Sequence, residues 1–305
     1  MPKVVICIVA FRNPADILAC LDALSVQTFQ EFAVVICENG SPEDFSALQD
    51  AVPIRLAGGQ PVTVINDPDN PGYAGGVNRC IAAAGPVAAY WVLNPDTEPH
   101  PDALGALVER LEQGDVDAAG GVMTLPDGRI SNCGARWNRW LAYSTSIGRG
   151  FALSQVPSAA VVERRLSFIC GGSLLCSRRF IERAGLMRED YFLYGEEVEW
   201  CLRARRRGLR LGYSAGAVVL HHQGSSTGSG KDFGERGRLP IYCDERNRIL
   251  TLRDTTPWLL PLAIWGALAT IVLRYGKRRA WTQLRIAVGA WADGVHNRRG
   301  KPSWL

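Results

Sequence analysis

Carboxylates stand at two places in the chain where they could do chemistry. Asp96 lies in the Pro-rich segment 94–101, where a carboxylate can hold Mg²⁺ or Mn²⁺, ions that prefer oxygen ligands and leave positions open for phosphates. An ordinary turn residue is the alternative interpretation. The second place is a predicted helix start with Glu196, Glu197 and Glu199. Crowded acids raise one another's pKa, which suits a general base, whereas a solvated charged face is the alternative.

A glycine-rich turn and a pair of histidines are the other candidate sites. Residues 69–78 read Asp-Asn-Pro-Gly-Tyr-Ala-Gly-Gly-Val-Asn and lead from a predicted strand into a predicted helix. Glycines let the backbone approach a ligand closely, and a helix start offers free N–H groups to anions, although a tight turn explains the same residues. His221 and His222 end a predicted strand. Successive strand residues point to opposite faces, so only one of the two imidazoles can face a site.

The elements that position these residues follow from the apolar pattern. It predicts strands at 4–10, 32–38, 62–66, 88–93 and 211–220, and helices at 14–24, 74–84, 101–114 and 192–207. Residues 117–176 show no clear period, and 223–230 read as a flexible loop. Strands that alternate with helices in units of about 30 residues indicate an α/β fold with a parallel sheet and helices on both faces. Ligands of such sheets bind beyond the carboxyl ends of the strands.

Composition and cysteine spacing limit the classes of protein. The 305 residues are 47% apolar and 21% charged, which excludes fibrous and disordered classes. The nine cysteines form no C-x-x-C pair, so they indicate neither a zinc knuckle nor a disulfide framework, but buried thiols in a reducing compartment. The N-terminus lacks the pattern of a secretory signal, which predicts a cytoplasmic location.

The C-terminal segment has a different composition. No charged residue stands between Asp254 and Arg274, and the apolar run 258–273 is shorter than the roughly 20 residues that span a bilayer. Residues 274–305 carry eight basic groups and one acid. Apolar residues repeat there at helical spacing, at Trp281, Leu284, Val288, Trp291 and Val295. A basic, Trp-bearing amphipathic segment is typical of an interfacial membrane anchor; packing on the protein's own core or at a dimer interface is the alternative.

The order of the motifs along the chain carries a family resemblance. The segments concerned are Ala-Phe-Arg-Asn at 10–13, Glu-Asn-Gly-Ser at 38–41, the glycine-rich 70–78, Leu-Asn-Pro-Asp-Thr-Glu-Pro at 93–99, the acidic 185–203 and His-His-Gln-Gly-Ser-Ser-Thr at 221–227. In sequence and spacing they resemble family 2 inverting glycosyltransferases, particularly the bacterial rhamnosyltransferase-like branch. The resemblance covers about residues 3–250. It implies a GT-A fold, with a Rossmann-like, mostly parallel central sheet flanked by helices, here followed by a helical C-terminal segment.

The resemblance also implies a reaction and its participants. A sugar, L-rhamnose in that branch, would move from a nucleoside diphosphate of the dTDP or UDP type to a hydroxyl of a glycan or polyprenyl-linked glycan, in the synthesis of cell-surface polysaccharide. Asn94-Pro95-Asp96 stands at the family's D-x-D motif, so Asp96 would hold Mg²⁺ or Mn²⁺, with His221 as the metal-facing histidine. Glu197 would be the catalytic base, with Glu196 as the other candidate. The donor-binding residues that it implies are Ala10, Phe11, Arg12, Glu38, Asn70, Gly72, Tyr73, Gly75, Gly76, Asn78, Asn94 and Asp96.

We therefore expect three regions in the chain and one cellular location. Residues 1–100 form the nucleotide-sugar half, 101–230 the acceptor and catalytic half, and 231–305 a basic helical segment for a membrane or homodimer contact. The expected location is the cytoplasmic face of the inner membrane, with no nucleic-acid partner. Two alternatives remain. A Rossmann-type oxidoreductase lacks its G-x-G-x-x-G fingerprint after the first strand. A catalytically silent, nucleotide-sugar-binding membrane subunit is suggested because glutamate replaces the family's aspartate at 38, 197 and 199.

Overall fold

The secondary structure follows the predicted alternation in the first half of the chain. A computed structural model describes residues 2–222 and 235–305. Its strands are β1 (Val4–Ala10), β2 (Phe32–Glu38), β3 (Val62–Asn66), β4 (Ala89–Leu93), β5 (Thr97–Pro99), β6 (Ala118–Thr124), β7 (Ile130–Asn132), β8 (Ala135–Asn138), β9 (Tyr143–Ser146), β10 (Ser173–Ser177) and β11 (Leu211–His221). The predicted loop 223–230 and the predicted boundary at residue 230 lie outside the described residues.

Helices cover the sheet and form the C-terminal region. They are α1 (Pro14–Ser25), α2 (Pro42–Ala51), α3 (Gly72–Ala84), α4 (Ala103–Glu112), α5 (Ala159–Glu163), α6 (Arg178–Ala184), α7 (Glu196–Arg206), α8 (Arg238–Thr255), α9 (Leu260–Gly276) and α10 (Trp281–Val295). The helix predicted at 192–207 begins four residues late, because Phe192, Tyr194 and Gly195 have φ values of 66°, 67° and 82°. A right-handed helix cannot contain such residues.

In the described part of the chain nine strands form one mixed sheet. Its order is β3-β2-β1-β4-β10-β6-β11-β5, with β7 paired to β6. Strands β1 to β4 run parallel to one another, which confirms the parallel sheet predicted from the alternation of strands and helices. Strand β10 runs antiparallel to both β4 and β6 and comes from the stretch 117–176 that showed no clear period. The sheet therefore continues past the predicted boundary at residue 100.

Both faces of the sheet are buried. Val5, Cys7 and Val9 of β1 belong to one apolar cluster, whereas Ile6 and Ile8 belong to the cluster on the opposite face. A strand buried on both faces reads as a continuous apolar run, as β1 does. All nine cysteines are free thiols, and all but Cys170 are buried, which confirms the prediction that they pack as apolar residues.

Ion pairs tie the C-terminal helices to one another and to the sheet domain. Glu245 of α8 is buried and pairs with Arg274 of α9. Near the chain end, Arg299 lies 2.7 Å from Asp254 and 3.1 Å from Asp190. Arg188 joins this network through Asp190 at 2.6 Å. These partly exposed ion pairs hold the tail against the turn before α7.

Candidate active site

Asp96 and His221 meet at the carboxyl edge of the sheet. The loop after β4 carries Asp96, and β5 pairs with the end of β11, so that Thr97 lies opposite His221. The Nε2 of His221 is 3.2 Å from Oδ1 of Asp96. His222 points to the other face, where its Nε2 is 2.7 Å from Oε1 of Glu98. The strand alternation therefore separates the two imidazoles as the sequence predicts.

The donor set at this edge fits a divalent cation. Asp96 is only 8% exposed, and its oxygen and the His221 nitrogen converge. No group of three or more acidic, histidine or cysteine side chains of the kind that holds a metal is found within 2–222 and 235–305. A cation held here would take its other ligands from phosphate oxygens and water, as Mg²⁺ and Mn²⁺ do, and an imidazole ligand favours Mn²⁺.

The segment Gly171–Gly172 joins this edge to the start of α7. The backbone N–H of Asn94 donates to the Gly172 carbonyl oxygen at 3.1 Å. A Cβ added at Gly172 would lie 3.7 Å from His221 Cε1, and one at Gly171 would lie 3.3 Å from the Glu197 side chain. The two candidate centres therefore flank two consecutive residues. Sequence reasoning missed this segment, whose only signal was a Gly-Gly pair in an aperiodic stretch.

Tyr73 lies between the candidate centres. Its hydroxyl is 2.8 Å from Oδ1 of Asn94 and 2.9 Å from the Gly171 carbonyl oxygen. Burial raises the pKa of Tyr73 well above its ordinary value, and the charges of Glu196, Glu197 and Asp96 raise it further. The phenol therefore stays protonated and can only hydrogen-bond.

The turn that begins α7 is held by α8. Asn247, which is fully buried, has its side-chain Nδ2 2.9, 2.8 and 2.6 Å from the carbonyl oxygens of Tyr191, Leu193 and Tyr194. These contacts support left-handed backbone conformations that cost energy for residues other than glycine. The position of Glu197 thus depends on a residue 50 positions later, which no local motif in the sequence predicts.

Glu197 and Glu196 have different surroundings. Glu197 faces a cavity of about 190 Å³, which we call the acceptor cavity and which Asp244 and Trp137 also line. Burial raises the pKa of Glu197, while backbone N–H groups at the start of α7 hold it down. Glu196 is 3% exposed, and its Oε2 has no hydrogen-bond partner among the described residues. Burial and the neighbouring Glu197 raise the pKa of Glu196 well above its ordinary value.

The ends of β1 and β2 form the predicted nucleoside side. Glu38 is buried, and its Oε1 accepts the N–H groups of Gly40 at 2.8 Å and Arg12 at 3.3 Å; burial raises the pKa of Glu38. Arg12 has φ of 55° and turns its guanidinium toward Asp44, 3.0 Å away. The Phe11 ring beneath it is exposed, and Ala10 ends β1 in the core.

Close packing requires the glycines of the glycine-rich turn, because larger residues there would overlap neighbouring groups. A Cβ at Gly72 would overlap the Phe192 carbonyl, and those at Gly75 and Gly76 would overlap Pro71 and Val9. Asn70, at φ of 49°, accepts the Gly72 N–H at 3.3 Å.

Asn78 is not brought to the site. Its amide donates to the Met187 carbonyl at 3.0 Å and to Glu189 at 2.9 Å, and its Oδ1 accepts the Met187 N–H. Both ends of the side chain are thus engaged in tying α3 to the turn before α7. The expected donor-binding residue is placed as a structural link instead.

Solved structures with the same fold define the class. The mannosyltransferase PcManGT from Pyrobaculum calidifontis, solved with GDP-Man and Mn²⁺, superposes with a TM-score of 0.58 over 97% of this chain and 88% of its own, at 14% identity. GalNAc-T7, solved with UDP, GalNAc and Mn²⁺, gives a TM-score of 0.61 over 83% of this chain and 48% of its own, at 13% identity. The fold is that of the GT-A glycosyltransferases.

Sequence comparison gives the family. Residues 5–183 match Glycosyl transferase family 2. The N-acetylglucosaminyl-diphospho-decaprenol L-rhamnosyltransferase of Mycobacterium tuberculosis is 29% identical over 285 residues, which cover 83% of this chain and 85% of that protein. The chain belongs to Glycosyl transferase family 2 and is a glycosyltransferase, as its motif order predicted. The oxidoreductase alternative is wrong.

Proposed function

We propose that this protein is a metal-dependent inverting glycosyltransferase. It moves L-rhamnose from a dTDP- or UDP-type donor to a hydroxyl of a polyprenyl-diphosphate-linked saccharide in cell-surface polysaccharide synthesis. The observation that carries the proposal is that Asp96–His221 and Glu197 flank one pair of residues, Gly171 and Gly172. Support for the donor and acceptor comes from the named activity of the Mycobacterium tuberculosis relative.

The leaving group needs charge stabilisation at one end of the site. Asp96 and His221 would hold Mg²⁺ or Mn²⁺ there, and the cation would neutralise the charge that develops on the nucleoside diphosphate. Tyr73 donates a hydrogen bond beside this centre and keeps the Asn94 loop against Gly171. The donor is thereby oriented with its sugar toward the acceptor cavity.

The acceptor needs a base at the other end. Glu197 faces the cavity, and the N–H groups at the α7 start favour its ionised form. Burial beside that charge raises the pKa of Glu196 well above its ordinary value, so Glu197 is the more readily ionised of the two. Glu197 therefore takes the proton from the acceptor hydroxyl, which attacks the anomeric carbon from the side opposite the diphosphate. Inversion in one displacement follows, and no glycosyl-enzyme intermediate is needed.

Two neighbouring substitutions test the base. We expect Glu197→Gln to lower kcat by about 10²–10⁴-fold while donor affinity by calorimetry stays unchanged. Glu196→Gln is the matched control, since it makes the same chemical change in the neighbouring carboxyl, whose pKa is raised well above its ordinary value, and we expect less than about tenfold loss. Full turnover in Glu197→Gln would refute the role. Donor binding without transfer or donor hydrolysis in the native enzyme would instead support the catalytically silent alternative.

The metal is tested by donor binding. We expect nucleotide-sugar affinity to rise with Mn²⁺ and to be lost in EDTA, and Asp96→Asn to abolish the Mn²⁺ effect. Asp50→Asn, which changes an exposed carboxylate on α2 away from the candidate site, is the control. Chelator-insensitive donor binding and transfer would contradict the metal role.

The surface of α9 supports a peripheral membrane contact. The turn 257–259 and α9 form one apolar helical stretch, Pro257–Gly276, of 20 residues, longer than the run read from the sequence. One face packs inward through Ala263 and Ala267, whereas Leu262 and Trp265 are 66% and 62% exposed. The basic residues 277–279 follow directly and complement an anionic leaflet. The stretch therefore lies along the membrane surface, at the cytoplasmic face where the lipid-linked acceptor would be met.

A further inference from the structure

A second cavity lies beside the acceptor cavity. It has a volume of about 460 Å³ and is formed by the tip of the β8–β9 hairpin, α7 and the end of α8. Three arginines, Arg136, Arg139 and Arg206, line it together with Trp137 and Trp140. We call it the arginine cavity. None of these residues belongs to the donor or base machinery described above, although Trp137 also lines the acceptor cavity.

The cations of this cavity are poorly neutralised. The side chains of Arg136 and Arg139 make no hydrogen bond or ion pair with residues 2–222 or 235–305. Arg206 donates from Nη1 to the carbonyl oxygens of Asp254 and Thr255, at 3.1 and 2.8 Å, and so has no carboxylate partner in that described part. Guanidinium groups are suited to bind phosphate oxygens through paired N–H donors. The cavity therefore fits a ligand with more than one negative charge.

The arginine cavity shares a wall residue with the acceptor cavity. Trp137 lines both, and its Nε1 is buried without a hydrogen-bond partner among the described residues. A buried donor of this kind is ordinarily satisfied by a ligand or water. Leu202, on the arginine cavity, follows Glu197 by five residues on α7, about 7.5 Å along the helix axis at 1.5 Å per residue. The wall of the arginine cavity at Leu202 is therefore separated from the candidate base by a distance that a short saccharide can span.

The opposite side of the arginine cavity is apolar. Trp258 lies against Arg206, whose guanidinium carbon is 5.8 Å from the ring centroid. Trp140 and Leu141 are exposed, and the Trp140 backbone lies against α9, where a Cβ added at Gly266 would overlap the Trp140 carbonyl. These residues lead to the exposed face of α9. The acceptor cavity, the three arginines and the apolar surface of α9 thus follow one another in the same order as the saccharide, the diphosphate and the prenyl chain of a lipid-linked acceptor.

We propose that the arginine cavity binds the diphosphate of the lipid-linked acceptor through Arg136, Arg139 and Arg206. The saccharide extends past Trp137 to Glu197, and the prenyl chain leaves over Trp140 toward the membrane. The inference rests on the proposed function and deepens it, since it assigns a site to the part of the acceptor that does not react. Binding energy from such a remote part positions the reacting hydroxyl.

The double variant Arg136→Gln/Arg139→Gln tests the proposal. Its control is Arg164→Gln/Arg165→Gln, which makes the same charge change at two exposed residues that line neither cavity. Farnesyl diphosphate in EDTA is the calorimetric probe, because donor-site binding of a diphosphate requires the metal under the proposed function. We expect affinity to fall about 10- to 100-fold in the double variant and to stay at the native value in the control. With a lipid-linked acceptor, kcat/KM should fall by a similar factor in the double variant and stay at the native value in the control.

The outcomes separate this inference from the proposed function. No saturable binding of farnesyl diphosphate to the native protein, or equal losses in both double variants, would overturn the arginine cavity as its site. Retained farnesyl diphosphate binding with lost binding to phosphatidylglycerol vesicles would also overturn it, because the arginines would then contact bilayer headgroups. A parallel titration with nucleotide sugar and Mn²⁺ tests the proposed function alone. If nucleotide sugar did not bind while farnesyl diphosphate still bound, the proposed transferase mechanism would be contradicted but the diphosphate site would stand.

Discussion

Replacing Gly72 by alanine tests how the glycine-rich turn positions the base. Gly72 has φ of +78°, and an added Cβ would lie 2.7 Å from the carbonyl carbon of Phe192 and overlap its oxygen. That oxygen also accepts the Tyr73 N–H at 2.8 Å. Phe192 begins the left-handed turn before Glu197, so the collision acts on the backbone that places the base.

The expected loss of stability in Gly72→Ala has two parts. A left-handed conformation costs a non-glycine residue about 1–2 kcal/mol. Overpacking a tight contact adds about 1–3 kcal/mol, and here no rotamer change can relieve it because the obstacle is backbone. Gly128→Ala is the matched control, since Gly128 has φ of +77° but nothing within 4 Å of the added Cβ. We therefore expect Gly128→Ala to lose only the stability that the left-handed conformation costs.

Urea unfolding followed by circular dichroism measures both changes. We expect the midpoint of Gly72→Ala to fall by roughly twice as much as that of Gly128→Ala at an unchanged slope. Transfer by the folded Gly72→Ala enzyme should be slower, whereas Gly128→Ala should transfer at the native rate. Equal midpoints in the two variants would refute the packing argument.

Further predictions concern titration, hydrogen bonding and the membrane. Because burial raises the pKa of Glu197, the acid limb of kcat/KM should lie above the pH at which an ordinary glutamate titrates, and it should vanish in Glu197→Gln. The folded-state pKa of Glu196 is raised, so its stabilising contribution is complete below the unfolded pKa and is lost as pH rises through the folded pKa. Glu196→Gln should therefore raise Tm at neutral and higher pH and flatten its pH dependence; an unchanged profile would contradict this. Tyr73→Phe should destabilise by about 1–3 kcal/mol in urea unfolding, because a buried acceptor loses its donor; a native midpoint would contradict it. Leu262→Ser/Trp265→Ser should lose co-sedimentation with anionic vesicles and keep donor binding, whereas equal sedimentation of both proteins would exclude α9 as the contact.

Strand periodicity predicted much of the donor-side geometry. Each of β1 to β4 was predicted within one residue, and their last residues and the loops that follow carry Arg12, Glu38 and Asp96 at one edge of the sheet. The meeting of Asp96 with His221 was also predictable, because alternation turns only one of two adjacent histidines toward a given face. Asn78 was misplaced because a helical position does not reveal which neighbour its amide contacts.

The sequence by itself determined the parallel half of the sheet, the identity of the acids and the family, since local periodicity and motif order are properties of the chain. Tertiary structure decided which acid faces a cavity, because Glu197 and Glu196 differ only in what α8 and the Gly171 segment place around them. It also decided the antiparallel entry of β10 and the grouping of Arg136, Arg139 and Arg206. The burial and the charge around these residues come from segments far apart in the chain, and no local sequence pattern predicts which distant segments come into contact.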